Sequence, residues 1–332
     1  MSPSPQSLPG LLSCLRARLQ PCRNPTRKKG ALAPEVLLTG CLILLTACAP
    51  PRSSRIVIGA KNFTEQVVLG ELVAQEIEAV TGEKVNRRFY LAGSYLCQQA
   101  LVAGRIDGYV EYTGTALTAI LKQPLPPPGQ REAAKVFAEV QRLYARRYQI
   151  KVEPGLGFED TFAMVVRGDD ARRLNLHTIS DAAKVIDNLA TQPPWRLGVG
   201  YEFESRPDGL PGLAAAYGLQ FHDGPRTMDL GLLYRALANH QVDIVSGNST
   251  DGPIRALDFT VLADDRHYFP PYEVVPLFRE DSLRQHPGIQ TALDRLAGQV
   301  SAAEIQTMNN AVDGRHRDVA EVVRDFRRSK GL

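Results

Sequence analysis

The sequence predicts an α/β protein built from two lobes of similar design, on three observations. Residues 55–60 are typical of a buried strand, and apolar residues at helical spacing follow a turn at 67–77, a unit that recurs along the chain. Residues 100–107 match residues 236–243 in apolar pattern, and a short strand and a threonine-containing turn follow each segment. The chain beyond residue 54 is also long enough for one core to split into two. Reuse of a common helix–loop–strand unit would explain the internal match equally well.

The first 47 residues are typical of an export signal. A basic stretch at 23–29 precedes an apolar run at 36–45 that is too short to anchor the chain across a bilayer. The following Leu45-Thr46-Ala47-Cys48 resembles a bacterial lipobox, in which Cys48 becomes the new N-terminus and carries a lipid. Residues 48–54 then form a short tether. Two alternatives stay open: an uncleaved buried segment, and a true start downstream of about residue 22.

Removal of this leader changes the apparent charge of the protein. The leader carries six basic side chains and one acidic side chain, so the net charge of +3 becomes about −2 in the mature chain. No cluster of Lys and Arg interleaved with aromatic residues remains, and no nucleic-acid partner is expected. Of the five cysteines, three leave with the leader and Cys48 carries the lipid, so Cys97 is left without a disulfide partner.

The remaining elements follow from periodicity and turn chemistry. Thr64 is a candidate N-cap for the helix at 67–77. Consecutive prolines predict a rigid loop at 123–129, and a helix is expected at 131–147. Residues 161–166 and 195–200 are predicted strands, and the chain from Pro276 onward is expected to be mostly helical.

The segment 108–115, Gly-Tyr-Val-Glu-Tyr-Thr-Gly-Thr, is a candidate wall of a ligand site. It places two tyrosines, a carboxylate and two hydroxyls around a glycine turn that follows a short strand. Aromatic faces at such a turn can hold a cation, while hydroxyls and turn amides can hold a polar end. The segment therefore predicts a small-molecule site.

Common catalytic signatures are absent from the sequence. It has no GxxxxGK[ST] phosphate loop, and the pairs Gly155/Gly157 and Gly198/Gly200 lack the third glycine of a dinucleotide fingerprint. No serine lies in a GxSxG elbow, and the six histidines show no metal-binding spacing. The sequence therefore predicts a protein that is not an enzyme and that binds neither cofactor nor metal.

Five sequence blocks in order resemble the substrate-binding proteins of osmoprotectant ABC importers, the glycine betaine/choline/carnitine group. The resemblance covers nearly the whole chain from residue 55. The blocks are IGAKNFTEQ at 58–66, EYTGT at 111–115, MDLGLLYRAL at 228–237, STDG at 249–252 and FPPY at 269–272.

The resemblance implies a type II periplasmic binding fold, with two α/β lobes and a ligand cleft between them. Lobe one would comprise 55–157 and 259–332, and lobe two 158–258, with crossings near 155–160 and 250–258. Such crossings act as hinges, so ligand closes the lobes. The implied protein is a monomeric lipoprotein, periplasmic or on the cell surface. It would deliver a quaternary amine to an ABC permease whose pore and ATPase are separate chains.

The resemblance also implies ligand-binding residues. A quaternary ammonium has permanent charge but no N–H, so aromatic faces suit it. Tyr112, Tyr234 and Phe162 fall on cage positions of the family, while Lys61 and Thr115 fall on positions that hold a ligand carboxylate. By pattern alone, Tyr234 and Phe162 could instead be core residues, and Lys61 a solvated surface charge.

Leu210 departs from the family pattern. It occupies a position where high-affinity relatives have a cage tyrosine, and leucine offers no π face. We therefore expect weaker binding of glycine betaine or a different cationic or zwitterionic ligand, unless Tyr201 or Phe203 compensates. Two other functions remain as alternatives: a sensory lipoprotein of the same fold that reports ligand to a membrane partner, and an enzyme with an unfamiliar constellation.

Overall fold

A computed structural model describes residues 55–127, 131–187 and 194–332 of the protein. The predicted signal peptide at 1–47, the lipidation site Cys48 and the tether at 48–54 lie outside these ranges. None of the helices within the described ranges has the length and apolar character needed to cross a bilayer.

The strands form two separate five-stranded sheets. In chain order they are β1 (Val57–Gly59), β2 (Asn86–Arg88), β3 (Gly108–Tyr112), β4 (Ile150–Val152), β5 (Phe162–Arg167), β6 (Leu197–Val199), β7 (Arg226–Thr227), β8 (Ile244–Asn248), β9 (Phe259–Leu262) and β10 (Val274–Arg279). The first sheet has the order β2-β1-β3-β10-β4, and the second has the order β7-β6-β8-β5-β9. In the first sheet β10, next to the edge strand β4, is antiparallel to both of its neighbours. In the second sheet β5, next to the edge strand β9, is likewise antiparallel to both of its neighbours. The two lobes thus share one design.

The helices connect and cover these sheets. Those of five residues or more are α1 (Thr64–Thr81), α2 (Ser94–Val102), α3 (Ala133–Tyr148), α4 (Gly168–Leu174), α5 (Ile179–Asp187), α6 (Tyr201–Ser205), α7 (Leu210–Tyr217), α8 (Leu230–Ala238), α9 (Gly252–Ala256), α10 (Glu280–Gln285), α11 (Gly288–Leu296), α12 (Ala302–Asp313) and α13 (Val319–Lys330). A single helical turn at Thr113–Thr115 continues into a π-helix at Ala116–Ile120.

The central strands of each sheet are buried on both faces. Side chains alternate between the faces of a strand, so Tyr109 of β3 packs in one apolar cluster while the adjacent Val110 packs in another. The second sheet likewise separates the cluster of Met164 and Val166 from the cluster of Ala163 and Val165, all in β5. Burial on both faces explains why consecutive residues such as Tyr109 and Val110, or those at 163–166, are apolar rather than alternating with polar ones.

The return from lobe two lies later in the chain than the sequence predicted. The expected boundary placed residue 259 in lobe one, but β9 pairs with β5 in the second sheet, and the chain re-enters the first sheet only at β10. The two crossing segments meet at an isolated antiparallel bridge between Glu159 and Glu273. The predicted crossing near 250–258 instead contains α9, which belongs to lobe two in sequence but packs against α12 of lobe one.

One local prediction was wrong. Thr64 is the first residue of α1 rather than its N-cap, since Phe63 holds the cap position and the Thr64 hydroxyl donates to Asp313. The chain from Pro276 onward is mostly helical, as predicted, although Pro276 itself lies inside β10 and the helices begin at Glu280. The carbonyl oxygen of Pro276 accepts from the amide of Glu153, so the proline contributes an acceptor to the sheet although it has no N–H.

Candidate ligand-binding site

A cavity of about 300 Å³ lies between the two lobes. Its wall comes from the segments that follow the carboxyl ends of strands: Lys61 after β1, Thr115 after β3, Glu202 after β6 and Asp229 after β7. In open α/β sheets the crevice outside the carboxyl ends of strands is where ligands bind. The topology of both sheets therefore directs their loops into one shared site.

Aromatic rings dominate the wall of this cavity. The lining rings are Phe63, Tyr112, Phe162, Tyr201, Phe203 and Tyr272. Phe162 is central among them, with its ring centroid 5.0 Å from that of Phe203 and 5.8 Å from that of Tyr272. On the other side, Phe63 stacks with Tyr112 at 6.5 Å. Lobe one, lobe two and the crossing segment each supply part of this aromatic surface.

Tyr112, the last residue of β3, is held rigidly in the wall. Its hydroxyl donates to a carboxylate oxygen of Glu65 at 2.9 Å, and its ring lies 4.8 Å from the ammonium nitrogen of Lys61. Burial, together with the nearby charge of Glu65, raises the pKa of the Tyr112 phenol well above its usual value. The ring therefore stays neutral and presents its π face to a cation.

Lys61 is paired with Glu111 inside the protein rather than solvated at the surface. The two side chains are only 3% and 0% exposed, and the lysine ammonium donates to Oε1 of Glu111. Glu111 also accepts from the amide of Tyr112 at 2.8 Å and the hydroxyl of Tyr109 at 3.1 Å. The strand β3 thus carries the counter-charge that allows Lys61 to be buried at the cavity wall.

Arg206 is a second buried cation at the wall. Its guanidinium carbon lies 5.0 Å from the ring centroid of Phe162, and it forms an ion pair with Asp208 at 2.6 Å. Burial by itself would lower the pKa of Arg206, but hydrogen bonding to Asp208 and its charge more than offset that effect, so the pKa is raised. Arg206 also donates to the hydroxyl of Thr115 at 3.2 Å and thereby connects lobe two to lobe one.

Three carboxyl groups lie close together, one in the cavity wall and two behind it. Asp160 lines the cavity, and its pKa is well above the usual value because of burial and the neighbouring Glu65 and Asp251. Burial raises the pKa of Glu65 as well, although hydrogen bonds from Thr250, Tyr112 and Asn309 oppose the shift. Burial raises the pKa of Asp251 to about 6. This part of the wall accepts positive charge more readily than negative charge.

Four of the six predicted ligand residues line this cavity: Lys61, Tyr112, Thr115 and Phe162. Tyr234 lines an adjoining pocket, which shares lining residues such as Asn62 and Asn248 with the cavity. Its ring stacks with Phe259 at 5.9 Å, and its hydroxyl donates to Asp251 at 2.7 Å. Leu210 is the first residue of α7 and packs against the apolar core of lobe two. The structure therefore does not place Tyr234 or Leu210 in the cavity wall.

The sequence reasoning did not assign Tyr272, Arg206 or Glu202 to the site. Tyr272 ends the block at 269–272, and its position in a recognised block was the signal for it. Arg206 and Glu202 lie in the same stretch as Leu210, after β6, and their charges in a segment that follows a strand were the signal for them. Tyr201 and Phe203, named as possible substitutes for that tyrosine, both line the cavity.

Two α/β lobes that enclose an aromatic cavity at the ends of their strands define the class of two-lobed solute-binding proteins. The chain belongs to the family described as the substrate binding domain of ABC-type glycine betaine transport systems, whose model matches residues 54–329.

Individual relatives agree with this assignment. The chain is 31% identical to the carnitine transport binding protein OpuCC of Listeria monocytogenes, over 90% of this chain and 96% of that protein. It is 31% identical to a glycine-betaine-binding protein of Pseudomonas aeruginosa, over 87% of this chain and 92% of that protein. Among solved structures, a glycine betaine/carnitine/choline ABC transporter protein superposes with a TM-score of 0.68 at 31% identity, covering 82% of this chain and 98% of the other.

The predicted fold class and family are therefore confirmed. The chain is a solute-binding protein of an ABC importer, and such proteins act outside the cytoplasm.

Proposed function

We propose that this protein captures a small quaternary ammonium compound in the aromatic cavity and delivers it to an ABC permease. The observation that carries the proposal is the set of six aromatic rings around one cavity of about 300 Å³. A quaternary ammonium gains no hydrogen bonds, so its desolvation must be offset by π faces, each contributing about 2 kcal/mol in a dry site. Family membership and the ligands named for the relatives support the same ligand class.

Within this proposal, Tyr112 and Phe162 are cage residues, because each already holds a protein cation over its ring. The nitrogen of Lys61 lies 4.8 Å from the Tyr112 centroid, and Arg206 lies 5.0 Å from that of Phe162. Thr115 is a polar contact at the point where the lobes meet, since its hydroxyl accepts from Arg206 across the cleft.

The lobes move as units in this proposal. Lobe one comprises residues 55–157 and 274–332, and lobe two comprises 162–262, with the intervening segments as hinges. The bridge between Glu159 and Glu273 ties the two hinges together. Cys48 carries the lipid that holds the protein at the membrane, and the protein acts as a monomer beside a separate permease and ATPase.

Titration calorimetry of the purified protein with glycine betaine, choline, carnitine and proline betaine tests the ligand class. We expect saturable binding of at least one of them and a rise in melting temperature with ligand concentration. If none of the four gives heat or a thermal shift, the ligand class is rejected while the fold and family stand. Mass analysis of the protein from membranes, compared with a Cys48→Ser variant, tests the lipid anchor separately.

A further inference from the structure

Glu202 of lobe two closes the cleft by binding the start of a helix in lobe one. Its Oε1 accepts from the amide of Ser94 at 2.6 Å, and its Oε2 accepts from the Ser94 hydroxyl at 3.1 Å. Ser94 is the first residue of α2, whose N-terminal amides are free to bind an anion. Glu202 therefore caps α2 from the opposite lobe.

The backbone is shaped for this contact. The residue before Ser94 is Gly93, and a Cβ there would lie 2.0 Å from Oε1 of Glu202, inside any allowed contact. Gly93, Ser94 and Glu202 all line the cavity. The carboxylate thus occupies a prepared anion position at the edge of the ligand site.

Glu202 forms no ion pair with either basic side chain that lines the described part of the cavity, although its charge acts on Arg206 through space. Lys61 pairs with Glu111, and Arg206 pairs with Asp208 at 2.6 Å. Asp229, also at the wall, is engaged as the N-cap of α8. The two basic side chains of the wall are each neutralised by their own partner, so Glu202 contributes a negative charge that a bound ligand meets directly.

We propose that Glu202 sets the ligand class of this site by favouring a quaternary ammonium without a carboxylate, of the choline type, over zwitterions such as glycine betaine. The inference rests on the proposed function. A ligand carboxylate would find the Ser94 amide and hydroxyl already bound to Glu202 and would be repelled by the Glu202 carboxylate. A ligand with only a positive charge is attracted by the same group. A cavity of about 300 Å³ is at the small end of the range for ligand pockets, and it suits a molecule as small as choline.

Calorimetry with choline and glycine betaine on wild type and Glu202→Gln tests the inference. We expect wild type to bind choline at least about ten-fold more tightly, a difference of about 1.4 kcal/mol. Glu202→Gln keeps the shape but removes the charge, so this preference is expected to fall several-fold. If the contact between Glu202 and Ser94 only held the two lobes together, Glu202→Gln would change both affinities by the same factor. The ratio of the two affinities would then stay constant.

Two further variants separate charge from shape. Glu204→Gln, on the same helix, is the matched control, because Glu204 accepts from Thr227 and does not line the cavity. Its ratio of affinities should equal that of wild type. Glu202→Asp retains the charge and should retain the preference for choline. Thermal unfolding of every variant verifies that each is folded.

The outcomes distinguish this inference from the proposed function. Tighter binding of glycine betaine than choline by wild type overturns the role of Glu202 and leaves a quaternary ammonium receptor in place. An unchanged ratio in Glu202→Gln also overturns it. Failure of both ligands, and of carnitine and proline betaine, removes the proposed function itself.

Discussion

The guanidinium group of Arg206 covers the ring of Phe162, with 5.0 Å between the guanidinium carbon and the ring centroid. The protein therefore places a cation of its own on an aromatic face in its ligand cavity. Asp208 holds this cation in position, and both side chains are more than nine-tenths buried. Because Arg206 also contacts Thr115 of lobe one, the pair couples the aromatic wall to closure of the lobes.

Arg206→Met is expected to lower the free energy of unfolding by about 3 kcal/mol, since it leaves Asp208 buried without its partner. The double variant Arg206→Met/Asp208→Asn removes both charges and should regain much of that loss. Urea denaturation of the three proteins measures the effect. Equal stabilities of the single and double variants would show that the lone Asp208 charge carries no penalty.

Tyr112 allows the ring to be tested separately from the hydroxyl. Tyr112→Ala removes a desolvated π face and is expected to weaken quaternary ammonium binding about ten-fold or more. Tyr112→Phe keeps the face and loses only the hydrogen bond to Glu65, so its affinity should stay within about three-fold of wild type, at a cost of about 1 kcal/mol in stability. Calorimetry and thermal unfolding give the two readouts. A Phe variant as weak as the Ala variant would mean that the contact with Glu65, rather than the ring, supports binding.

Leu210 lies outside the cavity wall, which changes the expectation for a tyrosine there. Leu210→Tyr should alter choline or glycine betaine affinity by less than about three-fold, because residue 210 packs on the core of lobe two. The same substitution should lower the melting temperature, since added volume must fit against packed neighbours. Calorimetry and thermal unfolding test both parts. A clear gain in affinity would place residue 210 at the ligand after all.

The fold was predictable from the sequence because strands such as β1 and β5 are short apolar runs that are followed by a helix. The wall residues of lobe one were predictable for a related reason. Lys61, Tyr112 and Thr115 directly follow strands β1 and β3 or end them, where loops of such sheets meet ligands.

The contributions of lobe two were harder to predict. Leu210 and Tyr234 were chosen by position in a motif, but whether a helical residue faces the cavity or the core depends on the rotation of its helix. The burial of Lys61 depends on Glu111, fifty positions away in the chain. Likewise, the Glu202–Ser94 contact joins residues 108 positions apart, and no local pattern encodes it. Such pairs are fixed by how the lobes close.

Asp251 makes the stability of the closed structure depend on pH. Its carboxylate accepts hydrogen bonds from the Tyr234 hydroxyl at 2.7 Å and from the backbone N–H of Asn248 at 2.8 Å. Burial nevertheless dominates and raises the pKa of Asp251 to about 6, above the usual 3.8. The folded protein therefore binds a proton at Asp251 that the unfolded chain has already released between about pH 4 and pH 6. Its contribution to stability is complete below pH 4 and is lost as the pH rises through 6.

Asp251→Asn is expected to remove this loss, because asparagine keeps a carbonyl acceptor for Tyr234 and does not ionise. Relative to the variant, wild type should become less stable by up to about 3 kcal/mol between pH 4 and pH 7, from a pKa shift of about two units. Glu65 and Asp160 have pKa values shifted in the same direction and remain in both proteins, so only the difference between the two curves reports on Asp251. Urea denaturation at several pH values measures that difference. Parallel curves would show that the pKa of Asp251 in the folded protein equals its value in the unfolded chain, so that its hydrogen bonds balance the effect of burial.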